Sequence, residues 1–328
     1  SHSLRHVPAG NVSLTRRERL RLTIRVAILA CVYNGERFLA EQFASLGRQT
    51  VPDIDLWISD DGSTDGSLGV LGEIGTGWQK GAFTILRGPG RGFAENFRSL
   101  MVNEDIAADY YAFCDQDDIW APDKLEAAIA WLAQQPADRP ALYGGRTRTV
   151  DIEGRPVGLS PLFAEPPSFR NAIVQSIAGG NTMVMNRAAR DLMAEASRRS
   201  GFVSHDWWCY MMVTGAGGNF HYSPEPRVDY RQHVGNLVGS NDGLRARLGR
   251  TGFLLGGGFA RWTDRNLAGL QACRDLLTDD ARDVLDRFAA LRTMWLPQRL
   301  IELHRSGIHR QTRKGQASLY IASAINRL

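Results

Sequence analysis

Apolar and polar positions in the first half of the chain switch repeatedly between a strand period and a helix period. Ile24 to Val32 is a near-continuous apolar run, after which Phe38, Leu39, Phe43 and Leu46 recur at helical spacing. Ile54 to Ser59 predicts a second strand, with a helix opening after Asp61-Gly62-Ser63-Thr64-Asp65, and Phe83 to Leu86 predicts a third. The glycine-rich Gly88-Pro89-Gly90-Arg91-Gly92 leads into a helix from Phe93 to Val102. Tyr110 to Cys114 reads as the fourth strand, followed by a helix from Pro122 to Gln134, and Ala141 to Tyr143 as the fifth. Repeated strand–helix units imply an α/β fold, a mostly parallel, doubly wound sheet with helices on both faces. Ligands bind such sheets beyond the carboxyl ends of the strands.

The second half is less regular. Arg146 to Ile152 and Asn181 to Met185 predict strands, Asp191 to Arg198 and Asp206 to Met212 predict helices, and Pro224 to Tyr230 predicts an extended segment. Beyond Gly239 the pattern becomes helical and rich in arginine, with a break at Gly256-Gly257-Gly258. The expected division is an N-terminal extension over 1–23, an α/β body over 24–240 with halves 24–145 and 146–240, and a basic helical region over 241–328.

Length and composition fit this picture. A chain of 328 residues with 43% hydrophobic and 23% charged residues can bury the core of one large or two modest globular domains. No apolar run approaches bilayer length and no secretory segment is apparent. Cys31, Cys114, Cys209 and Cys273 lie far apart, which favours packed thiols in a cytoplasmic protein over disulfides or a zinc site. The net charge of +4 is uneven: from Asn241 onward 15 Lys and Arg face 8 Asp and Glu, a surplus of seven, leaving a deficit of three before it. A basic tail on a near-neutral body points to an anionic surface such as a membrane, or to a solvated helical face; nucleic acid is not expected.

The densest chemistry lies at Cys114-Asp115-Gln116-Asp117-Asp118-Ile119-Trp120, where a strand ends in three carboxylates within four positions. Alternation along a strand would point Asp115 and Asp117 the same way, onto one cation. Such charges repel unless a cation lies between them, and a hard divalent ion that also binds phosphate suits these oxygens. A helix cap at Asp118 or Asp123 accounts for one acid and not for three. At the end of the second strand, Asp60 or Asp61 can accept a hydrogen bond from a nucleobase ring N–H, while Ser63 or Asp65 could simply cap the next helix.

Val32-Tyr33-Asn34-Gly35-Glu36, the Asp60–Asp65 run and the Asp115–Asp118 run fall in this order at three strand ends. Together they resemble the nucleotide-sugar-binding half of the family 2 inverting glycosyltransferases, which have the GT-A fold. The resemblance continues through Gly180-Asn181-Thr182, His205-Asp206-Trp207-Trp208 and Tyr230-Arg231-Gln232-His233. It is similar in wording to the bacterial rhamnosyltransferase branch. It implies that Ala30, Tyr33 and Glu36 line the nucleoside pocket and that Asp61, or else Asp60, binds the base. Asp115 and Gln116 would approach the donor, as would Arg91, Asn96 and the Gly179-Gly180 backbone. Asp117 would ligate Mn2+ or Mg2+, and His233 would add a ligand that leans toward manganese. Asp206 would take the acceptor proton, with Trp207 and Trp208 as a wall for an acceptor sugar.

The implied activity is metal-dependent transfer from a dTDP-sugar, above all dTDP-L-rhamnose, or from a UDP-hexose or UDP-N-acetylhexosamine. The acceptor would be a bacterial surface glycan, lipid-linked or not, met in the cytoplasm or peripherally at the inner face of its membrane. A sugar nucleotidyltransferase would carry a glycine-rich, arginine-containing loop after the first strand, where Tyr33-Asn34-Gly35-Glu36 stands. A non-catalytic glycan- or nucleotide-sugar-binding module would have lost Asp117 or Asp206.

Overall fold

The computed structural model describes residues 24–232 and 258–328. The first half follows the expected alternation: β1 (Arg25–Val32), α1 (Glu36–Gly47), β2 (Asp53–Asp60), α2 (Ser67–Gly77), β3 (Phe83–Arg87), α3 (Phe93–Met101), β4 (Tyr110–Cys114), the short β5 (Ile119–Trp120), α4 (Lys124–Leu132) and β6 (Ala141–Gly145). β7 (Arg148–Val150), β8 (Pro156–Leu159), α5 (Phe169–Ala172), β9 (Val184–Asn186), α6 (Arg187–Arg199), α7 (His205–Gly215), β10 (Asn219–Ser223) and β11 (Val228–Arg231) follow. The chain closes with α8 (Gly258–Ala272), α9 (Asp279–Leu291), α10 (Leu296–Arg305) and α11 (Arg313–Ala324).

Seven strands form one sheet in the order β10-β6-β9-β4-β1-β2-β3. All its pairings are parallel except those of β9, which runs antiparallel to β4 and β6. β1 is central and buried on both faces, which is why its sequence is apolar without a break. Ala27, Leu29 and Cys31 enter one core, while Val26, Ile28, Ala30 and Val32 enter the other. Leu39 and Phe43 of α1 and Leu125 and Ile129 of α4 cover the second core. Phe97 and Leu100 of α3 cover the first, together with α7. A four-stranded sheet, β5-β11-β7-β8, sits beside the acidic turn. The sequence pattern missed β5, which has only two residues, β8, whose residues are all exposed, and β10 (Asn219–Ser223).

The arginine-rich helices are not a separate layer. Leu267, Leu270, Val284, Leu285, Phe288, Leu291, Leu303 and Leu319 are buried in the same core as Phe97 and Trp208. All four cysteines are unpaired and buried. Among the described residues no helix is long and apolar enough to cross a membrane.

Candidate active site

The carboxyl ends of β1, β2 and β4 meet through hydrogen bonds between their loops. Gln116, after β4, clasps Tyr33, after β1: Oε1 accepts the Tyr33 N–H at 2.8 Å and Nε2 donates to the Tyr33 carbonyl at 3.1 Å. The β1 and β2 loops are tied by Thr64 N–H to Asn34 Oδ1 at 2.8 Å and Gly66 N–H to Glu36 Oε2 at 2.9 Å. Gln116 and Glu36, expected to touch the donor, thus fasten neighbouring strand-end loops to one another. Tyr33 itself is left 57% exposed.

Asp61 holds the next loop. Its Oδ1 accepts the Gly90 N–H and its Oδ2 the Gly92 N–H, each at 2.7 Å. Both glycines have left-handed φ, +67° and +89°, which turns their N–H groups onto one carboxylate and which other residues rarely adopt. Arg91 between them is exposed. A carboxylate has about four acceptor positions, so Asp61 retains capacity for a base N–H. Asp60 accepts the Gly62 and Ser63 N–H groups through Oδ2, and its buried Oδ1 has no partner. Asp60 therefore keeps the wholly unspent oxygen.

The acidic cluster lies in a turn and not on the strand, because β4 stops at Cys114. Strand alternation is therefore not what brings Asp115 and Asp117 together; the turn does. Burial, the Asp117 charge and then the Asp206 charge push Asp115 up to about 7. Asp206, at the start of α7, thus lies close enough to Asp115 to repel its ionised form. Asp118 is no helix cap. It accepts from Asn181 Nδ2 and from the Arg231 N–H, and burial followed by Asp117 and Asp115 raises it well above the carboxylate range.

Arg231 is a residue to which the sequence reading gave no role. Its guanidinium reaches the Asp117 carbonyl at 3.1 Å, the Ile152 carbonyl at 2.7 Å and Glu41 at 2.5 Å, tying the turn to β11 and α1. Nothing local in the sequence signals this. Among the described residues no three His, Cys, Asp or Glu side chains form a ready cation cage; His233 lies outside the described residues. The crowding of Asp115, Asp117 and Asp118, and the upward push on two of them, nonetheless fit a hard divalent cation. Such a cation would be held by Asp117 and completed by phosphate oxygens of a ligand.

Several expected contacts are corrected by the structure. Ala30 points into the core and is 1% exposed, so it cannot line a pocket with its side chain. Asn96 is buried and fastened to Ser59, its Oδ1 accepting from the hydroxyl and its Nδ2 donating to the carbonyl. The open side of Gly180 is filled by His205, whose Nε2 lies 2.0 Å from where a Cβ would stand. Neither tryptophan is an acceptor wall. Trp208 is wholly buried, and Trp207 is 6% exposed, donates Nε1 to the Ala172 carbonyl at 2.7 Å and stacks on Phe259.

His205 is stacked on Phe97 with ring centroids 3.7 Å apart and lies edge-on to Phe113 at 4.7 Å. Burial lowers it to about 4, against the pull of Asp206, so the ring is neutral at working pH and neither nitrogen has a protein partner. Asp206 is half-buried, and its Oδ1 accepts the N–H of Trp207 at 2.7 Å. This first-turn bond holds the carboxylate at the helix start. The arrangement places a fixed carboxylate near the acidic turn that follows β4.

Residues 27–190, half of the chain, match the sequence profile described as Glycosyl transferase family 2. The dTDP-rhamnosyl transferase RfbG of Shigella flexneri is 28% identical over 230 residues, 68% of this chain and 78% of that protein. An uncharacterized glycosyltransferase of Haemophilus influenzae is 26% identical over 229 residues, 66% of this chain and 67% of that protein. In three dimensions the chain is similar to S. aureus TarS 1-349 in complex with UDP-GlcNAc, with a TM-score of 0.52 and 16% identity. That likeness covers 87% of this chain and 93% of TarS 1-349, and it bears on the fold.

Proposed function

Because the chain belongs to glycosyl transferase family 2 and has the GT-A fold, it is a glycosyltransferase, and we propose that it moves L-rhamnose from dTDP-L-rhamnose to a hydroxyl of a bacterial surface polysaccharide or lipid-linked glycan. The observation that carries the donor is the 28% identity to a dTDP-rhamnosyl transferase along 68% of the chain. In this reading Tyr33 faces the nucleoside and Asp60 or Asp61 accepts the base N3–H. Asp115 approaches the ribose or sugar.

Asp206 acts as the base. A sugar hydroxyl is a poor nucleophile at neutral pH, and a carboxylate in hydrogen-bond reach takes its proton as the new bond to the anomeric carbon forms. The bond from that carbon to the diphosphate oxygen breaks on the opposite face, so the configuration inverts and no covalent enzyme intermediate arises. A divalent cation held by Asp117 would neutralise charge gathering on the departing diphosphate. His205 stays neutral and fills the space behind Asp206, leaving proton transfer to the carboxylate.

A UDP-hexose or UDP-N-acetylhexosamine donor is the second reading, because thymine and uracil offer the same N3–H. Release of nucleoside diphosphate from dTDP-L-rhamnose and from UDP-GlcNAc, each with Mn2+ and a glycan acceptor, separates them. Faster release from dTDP-L-rhamnose is expected. Release from UDP-GlcNAc alone would overturn the rhamnose assignment, and release from neither, with both nucleotides bound, would favour a binding module.

A further inference from the structure

α10 and α11 form a helical hairpin with one side in the core. Leu303 and Leu319 are buried there, and Arg299 crosses between the helices to donate Nη1 to the Ser323 carbonyl at 2.8 Å. The opposite side is open. Five of the twelve exposed large apolar side chains among the described residues lie on this one hairpin: Trp295 (63%), Leu296 (44%), Ile301 (51%), Ile321 (56%) and Ile325 (43%). Spacing of three and four residues aligns Pro297, Ile301 and His304 along α10, and Lys314, Ser318, Ile321 and Ile325 along α11. Trp295 and Leu296 stand where α10 begins, which the Arg299–Ser323 bond places beside the end of α11.

The exposed charge on this hairpin has one sign. Arg305, Arg313, Lys314 and Arg327 are exposed, whereas the only acid after Asp286, Glu302, is taken up by Arg287 Nε at 2.6 Å. Cationic side chains flank the apolar ones: Lys314 shares the α11 stripe with Ile321 and Ile325, Arg327 follows Ile325, and Arg305 lies one turn beyond Ile301. A folded protein partner favours an apolar centre with a polar rim. The boundary between headgroups and acyl chains instead accepts indole and aliphatic groups, with cations beside the phosphates.

We infer that the outer face of the α10–α11 hairpin docks the protein on an anionic lipid bilayer. The docking goes beyond the transfer reaction and is tested without it. Full-length protein is sedimented at low salt with vesicles of equal parts phosphatidylcholine and phosphatidylglycerol, and with vesicles of phosphatidylcholine alone. Binding is expected to the anionic vesicles and to fall as salt rises. The apolar variant Trp295→Ser/Ile321→Gln/Ile325→Gln and the charge variant Arg305→Glu/Lys314→Glu should each lose it by about tenfold or more. All five positions are exposed, so both variants should keep the wild-type circular dichroism, thermal midpoint and affinity for dTDP. Failure of the wild type to sediment with anionic vesicles overturns the inference. So does wild-type binding by both variants, or a wild-type dimer in vesicle-free solution that the apolar variant abolishes. None of these outcomes would touch the donor assignment, which nucleotide release decides.

Discussion

Gly180→Ala should be far more damaging than the removal of a glycine from a surface turn. The new Cβ would stand 2.0 Å from His205 Nε2 and 2.8 and 2.9 Å from its Cδ2 and Cε1. The imidazole has little room to retreat, since Phe97 lies 3.7 Å from it face on and Phe113 closes its edge at 4.7 Å. Forcing a methyl group into a filled core site costs about 1–3 kcal/mol. The strain would fall on the first turn of α7, where the next residue is Asp206, and a displacement of about 1 Å at a reacting group can cost about 10²-fold in rate. His205→Ala also destabilises, by loss of packing, but opens the space that Gly180→Ala needs. The assay is a double-mutant cycle by urea denaturation, with nucleoside diphosphate release measured on the same four proteins. A coupling energy of at least about 1 kcal/mol is expected, because the second substitution should cost little once the first is made. Additivity within about 0.5 kcal/mol would show that the ring is not what closes the Gly180 site.

Asp206→Asn should retain fold and nucleotide affinity while losing roughly 10²–10⁴ in transfer rate, and a folded variant with most of its activity would remove Asp206 as the base. Asp117→Ala should lose metal-dependent tightening of dTDP binding, read by calorimetry with and without Mn2+, and about 10² or more in turnover; equal tightening in the variant would refute the ligand assignment. Lys124 is 2% exposed with Nζ 3.4 Å from the Trp120 ring centre and no hydrogen-bond partner, and burial lowers it from 10.5 to about 7, against the pull of Cys114 and Asp118. Between those two values the unfolded chain holds a proton that the folded chain has lost, so stability should rise with pH there, by up to about 1.4 kcal/mol per unit. Lys124→Met should therefore be more stable than wild type below about pH 7, with the advantage shrinking toward pH 10; a pH-independent difference between the two melting curves would contradict this.

The strands and their order of chemistry were legible because both are local. β1, β2 and β4 announce themselves by apolar runs, and a parallel sheet brings their carboxyl ends to one edge whatever the helices between them look like. Acids placed just after those runs must then share that edge. Asp60, Asp61, Asp115 and Asp117 could be picked out for this reason. Asp206 was legible only through family resemblance, since one acid at a helix start looks like a cap.

What the sequence by itself determined is the α/β framework, the family and the edge of the sheet that carries the acids. Tertiary structure alone decided the partner of each polar or aromatic side chain. Gln116 and Tyr33 are 83 residues apart, and Asn96 and Ser59 are 37 apart. No periodicity in either segment reveals that they will meet. Trp207 and Trp208 read equally well as a sugar wall or as core until α8 supplies Phe259 to cover one of them and the first core closes over the other. The α10–α11 hairpin carries both a core-facing and an outward-facing apolar stripe, and only its packing against α5 and α9 shows which is which. Periodicity reports that a surface will be covered. Contacts between distant parts of the chain determine what covers it, and those exist only once the chain has folded.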